Sequence, residues 1–263
     1  MTAGRFILDD GELTCERRGE GPPVVLLHAG GLAAAIWDRQ FTALARDHSV
    51  IRYDARGHGD SSPVTGPFAH HEDLARLLDG LGVDRVSLVG LSLGARTAVD
   101  FALTAPGRVA DLVLAGPGVS GMAFADPFIL DLLARLRAST SSEEAVECLL
   151  RMWVDGPRRS PEQVDPEVRE LCRRLTANAL ARGAFTVPPR ELDAVHRIGE
   201  LTARTLVVVG DLDSSDIHAV ADLLGDQVPG AEKVVVEGAG HQVHLDRPDE
   251  FDRALLRFLS ASR

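Results

Sequence analysis

The sequence predicts an α/β fold: a mostly parallel, helix-flanked sheet interrupted late in the chain by a helical insertion. Three observations predict it. Short apolar runs alternate with helical patterns from Arg5 to about Ser120, no convincing strand occurs between about Met122 and Arg190, and strand patterns then resume. Continuously apolar strands, without in-and-out alternation, belong to sheets covered on both faces, which is the condition of a parallel sheet between helix layers. A chain of 263 residues is long enough for one such domain with an excursion and a sizeable core.

The elements follow in order. Phe6–Arg17 reads as a strand pair turning at Asp10-Gly11. Pro23–Leu27, Val50–Tyr53, Val86–Val89 and Val109–Leu114 read as buried strands, with helices at Ala35–Ala45, His71–Leu81 and Leu93–Leu103 between them. Helical stretches at Pro127–Arg137, Glu143–Val154 and Pro166–Ala181 are separated by Gly- and Pro-containing breaks. Strands resume at Thr205–Val209 and Lys233–Val236, and a helix at Asp249–Leu259 comes last. The expected organisation is a core of residues 1–121 and 191–263 with a helical lid over 122–190.

Composition narrows the function. A net charge of −11 leaves no basic patch to neutralise phosphates, which argues against a nucleic-acid or anionic-membrane surface. Cys15, Cys148 and Cys172 are odd in number and far apart, so neither a disulfide framework nor a zinc site is expected. Met1–Asp10 lacks the features of a signal peptide, and no apolar run approaches spanning length, so the expectation is a cytoplasmic protein. His70-His71 opens a helix without further ligands, and neither metal nor cofactor is expected.

The sharpest chemical signal is Gly90-Leu91-Ser92-Leu93-Gly94. Small residues on both sides of a serine permit a strained strand-to-helix turn that exposes the hydroxyl at a strand's C-terminal end. A dinucleotide fingerprint fits poorly, because the G-x-G-x-x-G spacing is absent. A serine hydroxyl needs a base, and that base needs an orienting acid. His241, in Glu237-Gly-Ala-Gly-His241 after a strand, is preferred over His244. The acid comes from Gly210-Asp211-Leu212-Asp213: Asp213 is the choice, Asp211 remains possible, and Asp216 suits a cap for the helix over Ile217–Leu224. For the oxyanion, the Leu93 amide at a helix N-terminus supplies one donor; Gly30 supplies the other, with Gly31 as alternate. His28 is expected to be a scaffold residue. Gly31, Trp37 and Trp153 are candidate pocket residues, with buried packing the preferred role for either tryptophan, and Glu143-Glu144 and Arg158-Arg159 read as solvated faces of the insertion.

The set His28-Ala-Gly-Gly31, Asp54-Ala-Arg-Gly-His-Gly-Asp-Ser61, Gly90-Leu-Ser-Leu-Gly94, Gly210-Asp-Leu-Asp213 and Gly240-His241 resembles the α/β-hydrolase fold superfamily, in order, over essentially the whole core. The segment Trp153-Val-Asp-Gly-Pro157 and the general spacing are similar to enol-lactonases and small carboxylesterases. The sequence departs from the family pattern at Ala29 and Ala95, where glycine is usual. The resemblance implies Ser92, Asp213 and His241 as a catalytic triad and Asp54–Ser61 as a structural turn; serine at the elbow disfavours the aspartate-nucleophile branches. The expected activity is hydrolysis of a small carboxylic ester or lactone through an acyl-enzyme. Thioester, carbon–carbon and perhydrolytic chemistry on the same triad are the alternatives, as is a binding protein or lyase on the same fold.

Overall fold

The computed structural model describes residues 2–261. Strands β1 (Thr2–Leu8) and β2 (Gly11–Arg18) form an antiparallel hairpin. They are followed by β3 (Pro23–Leu27), α1 (Asp38–Leu44), β4 (Ser49–Tyr53), α2 (His70–Gly80), β5 (Val86–Leu91), α3 (Leu93–Thr104) and β6 (Val109–Ala115). Helices α4 (Pro127–Ala138), α5 (Ser142–Leu150) and α6 (Pro166–Ala181) precede β7 (Arg204–Gly210). Next come α7 (Ser215–Gln227), β8 (Glu232–Val236), the short α8 (Val243–Asp246) and α9 (Pro248–Ser260). Among the described residues no strand lies between β6 and β7, and no helix is long and apolar enough to cross a membrane.

The strands form one sheet in the order β1-β2-β4-β3-β5-β6-β7-β8. β2 pairs antiparallel with both β1 and β4, and every other pairing is parallel. The chain therefore leaves β3 for β4 on one side and returns to β5 on the other. At such a reversal the loops leaving two adjacent strands diverge, and a crevice opens at their C-terminal ends.

Strand periodicity divides the core between the two faces. Along β3, Val25 and Leu27 join a cluster with Leu74, Leu77 and Leu78 of α2, Val99 of α3 and Leu224 of α7. Val24 and Leu26 join the opposite cluster, with Phe41 of α1 and Phe251, Leu255 and Phe258 of α9. Each such side chain, fully buried, contributes about 1.5–3 kcal/mol, so these two clusters hold the helices against the sheet and fix where the strand ends lie.

The segment between β6 and β7 is anchored to the core by a reciprocal pair of carboxylates. Asp126 caps α4 by accepting from the Phe128 amide, and its other oxygen accepts from the Ser215 amide and hydroxyl at the start of α7. Asp216 returns the arrangement by accepting from the Ala125 and Asp126 amides. The cap of α7 expected at Asp216 is therefore corrected. Ser214 occupies the cap position, and Asp216, one residue inside the helix, serves the entry to α4 instead.

Two helix boundaries also differ from expectation. The helix expected over Ala35–Ala45 begins as a tight 3-10 turn, Ala34–Trp37, before α1. The helix expected over Glu143–Val154 ends at Leu150 and widens into a π turn, Arg151–Asp155. Asp155 is buried there between Arg151, which it meets at 3.0 Å, and Arg169 of α6, at 2.9 Å. Holding that carboxylate inward is a tertiary demand with no local sequence signature.

Candidate active site

Ser92 joins β5 directly to α3 with φ 55° and ψ −106°. A non-glycine residue at positive φ costs of order 1–3 kcal/mol and persists only when its surroundings enforce it. Here the Ser92 amide donates to the Ala115 carbonyl at 3.0 Å, and its own carbonyl accepts from the Arg96 amide at 2.9 Å. The flanking glycines are steric requirements. A Cβ on Gly90 would lie 2.4 Å from the Gly94 backbone, and one on Gly94 would lie 2.2 Å from the Leu27 carbonyl. α3 thus starts pressed against β3 and β5, with Ser92 at the crevice between them.

The loop after β3 meets this turn. A Cβ on Gly30 would be 3.7 Å from that of Leu93, so the two expected oxyanion residues stand side by side. Both line a cavity of about 220 Å³, as do Ser92 and His241. His28 and His58 lock the loop from beneath. Nε2 of His28 accepts the Ala55 amide at 2.9 Å, and Nε2 of His58 accepts the Gly31 amide at 3.0 Å. Both imidazoles are therefore neutral, and burial depresses His28 to about 4 and His58 to about 3. The Gly31 amide is committed to His58, and Gly31 is not among the residues lining the cavity, which corrects its expected place in the pocket and as alternate donor.

His241 is buried, with Nδ1 2.9 Å from Asp213 Oδ2, while the other Asp213 oxygen accepts the Ser214 amide at 2.8 Å. That orients the ring and leaves Nε2 without a protein partner. Asp211 turns the other way and accepts the Gly238 amide at 2.7 Å, bracing the loop that leads to His241. His244 is buried against Trp37, ring centroids 4.2 Å apart, and bonds the Ile36 carbonyl.

Trp153, in the π turn, packs tilted against the His241 ring, centroids 4.9 Å apart, and lines the cavity with Phe124, Met122 and Leu149. Trp37 does not: of the two roles weighed for it, the pocket is corrected and the buried packing is what the structure has. It is wholly buried among Phe251 and His244 in the core layer under α9, because the 3-10 turn preceding α1 points its indole away from the crevice. Arg159 is corrected as well: expected on a solvated face, its side chain is only 9% exposed and pairs with Asp246 at 3.0 Å.

Several lining residues were not singled out from the sequence. Gln242 carries the signal of standing next to His241, and Arg96 that of lying one helical turn after Ser92. His58 lay in the segment read as a structural turn, while His70 and Phe185 carried no signal for the pocket. Among the described residues no group of His, Cys, Asp or Glu side chains could hold a metal ion.

A model of the alpha/beta hydrolase family matches residues 24–254. A putative carbamate hydrolase RutD of Azorhizobium caulinodans is 29% identical over 260 residues, which is 95% of each chain. A 2-hydroxy-6-oxononadienedioate/2-hydroxy-6-oxononatrienedioate hydrolase of Cupriavidus pinatubonensis is 30% identical, over 97% of this chain and 94% of its own. The crystal structure of a hydrolase from Pseudomonas aeruginosa superposes with a TM-score of 0.82 at 30% identity, covering 98% of both chains.

Proposed function

The chain belongs to the alpha/beta hydrolase family, and from that premise we propose that it is a serine hydrolase of a small carboxylic ester or lactone, with Ser92, His241 and Asp213 as its triad. One observation carries the reading. His241 has Nδ1 engaged by Asp213 and Nε2 unpartnered, and it shares one cavity with a serine held in a strained turn.

Ser92 Oγ attacks the carbonyl carbon as its proton passes to His241 Nε2, and Asp213 stabilises the imidazolium so formed. The oxyanion is met by the Gly30 and Leu93 amides, the latter reinforced by the positive end of α3. Collapse breaks the bond to the leaving oxygen, which takes the proton from His241. Water then attacks the acyl-serine, giving its proton to Nε2, and a second collapse frees the acid and returns the proton to Oγ.

The segment over 122–190 acts as a lid, supplying Trp153, Phe124 and Met122 as apolar walls. Such walls exclude water and fit a short acyl or lactone chain. A second reading, hydrolysis of a carbon–carbon bond beside a ketone, uses the same residues and is favoured by the relative named for 2-hydroxy-6-oxo dienedioates.

A fluorophosphonate probe tests the core of the reading. Wild type should label rapidly and Ser92→Ala not at all, with p-nitrophenyl acetate hydrolysis lost in parallel. Absence of both labelling and acyl cleavage in wild type would overturn it.

A further inference from the structure

The cavity is asymmetric in charge. Its walls are largely apolar, and its histidines other than His241 are buried and held neutral, His58 and His70 each at about 3 chiefly by desolvation. Among the described residues lining it, none is acidic and Arg96 is the one with a formal charge. That is unusual placement in a chain whose net charge is −11, because an acidic protein repels anions at long range and any local attraction has to be built.

Arg96 stands one helical turn beyond Ser92, its amide bonded to the Ser92 carbonyl. Nη1 pairs with Glu191 at 2.7 Å, on the segment leading back from α6 to the core, and both side chains are partly exposed. Nε is buried and has no partner. Beside it the chain carries Gly118, where a Cβ would lie 3.2 Å from the Ser92 carbonyl and 3.7 Å from Nε. A side chain there would press on the Ser92 carbonyl and fill the space against the guanidinium edge. The part of Arg96 that reaches the cavity presents a guanidinium, and a guanidinium is best matched by a planar oxyanion.

We infer that Arg96 is a specificity determinant that binds a carboxylate on the substrate, so that the preferred esters or lactones carry an acid group a few carbons from the carbonyl that Ser92 attacks. This rests on the serine-hydrolase reading for its chemistry but not for its binding step. Glu191 holds the guanidinium in place and moderates its charge; the apolar walls take the connecting methylenes. A lysine would not serve equally, since a point charge cannot offer the same paired donors.

The test compares mono-p-nitrophenyl glutarate with p-nitrophenyl pentanoate, which match in acyl length and differ in the terminal carboxylate. Wild type should favour the glutarate in kcat/KM by about tenfold, the scale of one charge-assisted hydrogen bond. Arg96→Met should reduce that ratio at least about tenfold, through KM, while Glu191→Gln, which leaves Arg96 uncompensated, should raise it severalfold. A wild-type ratio at or below one, or a ratio that neither variant moves, overturns the inference. Calorimetry of monomethyl glutarate and methyl pentanoate on Ser92→Ala reads the site without turnover. If wild type cleaves neither ester, the proposed activity fails, and this binding comparison still decides the role of Arg96: preferential binding of the acid supports it, and equal binding removes it.

Discussion

Arg159, in the segment between β6 and β7, pairs with Asp246 Oδ2 at 3.0 Å, and the same oxygen accepts the Gly240 amide at 2.7 Å, immediately before His241. Arg159 also donates to the Val154 and Asp155 carbonyls, and Gln242 donates to the Trp153 carbonyl at 3.0 Å. The loop that carries the imidazole is therefore bolted to the π turn on both sides of His241, and the position of the ring depends on the segment between β6 and β7.

Arg159→Met should consequently lower both stability and turnover. Removing one partner of a buried ion pair costs about 3–5 kcal/mol. For a chain of this size the low end of that range lowers the melting midpoint by roughly 6–12 °C. A displaced imidazole costs about tenfold to a hundredfold in kcat. Calorimetry and p-nitrophenyl acetate kinetics below the melting range separate the two effects. Full activity in the variant would show that the loop holds His241 without Arg159.

The choice of acid gives a sharper contrast. Asp213→Asn keeps the shape but leaves the Nδ1–H without its anionic acceptor, and should cost about 10³–10⁴-fold in kcat. Asp211→Asn alters a carboxylate that holds the Gly238 amide, not the imidazole, and should cost less than about tenfold. Comparable losses in steady-state assays of the two variants would reassign the acid.

These two aspartates also mark how far the sequence could be read. The strand run at Pro23–Leu27 and the Asp-Pro start of the helix at Pro166 announce themselves through local chemistry, and both elements fall where expected. Asp213 could be preferred to Asp211, because a residue standing clear of the strand end is freer to reach across, but the sequence left both open. The π turn could not be foreseen, because Val146, Leu150 and Val154 keep a helical apolar spacing straight through it. The indole of Trp37 likewise reads the same whether a pocket or a core will receive it. Arg159 looks like any surface arginine until the chain brings Asp246 to it from 87 residues away. Contacts of that kind are properties of the assembled fold.

Acid should unfold the protein steeply. His28, His58, His70 and His244 are buried, and burial depresses them to about 4, 3, 3 and 3. The unfolded chain takes up these protons near pH 6.5 while the folded chain resists. Stability is thus fully present above about pH 6.5 and falls as pH drops toward the folded values, by up to about 1.4 kcal/mol per pH unit for each histidine. Asp54, Asp73 and Asp100, raised by burial, bind protons in the fold first and offset part of the loss at the lower end. Urea midpoints at pH 7, 6 and 5 check this; a flat profile would mean that the imidazoles titrate freely in the fold.

Phe185 should govern access. It lines the cavity yet is 52% exposed, stands edge-on to His58 at 6.1 Å between centroids, and lies 3.5 Å from where a Cβ on Gly31 would be. An aromatic ring half in water adds little to the core, so Phe185→Ala should change stability by less than about 1 kcal/mol. Its ring nevertheless packs on the loop bearing the Gly30 amide at an exposed edge of the cavity, and an acyl chain longer than the cavity is expected to leave past it. Shortening it should raise kcat/KM for p-nitrophenyl octanoate relative to the acetate by about fivefold, and Phe185→Trp should lower that ratio. A ratio indifferent to both changes would place the exit for longer chains elsewhere, on the side of Met122 and Phe124, which also line the cavity.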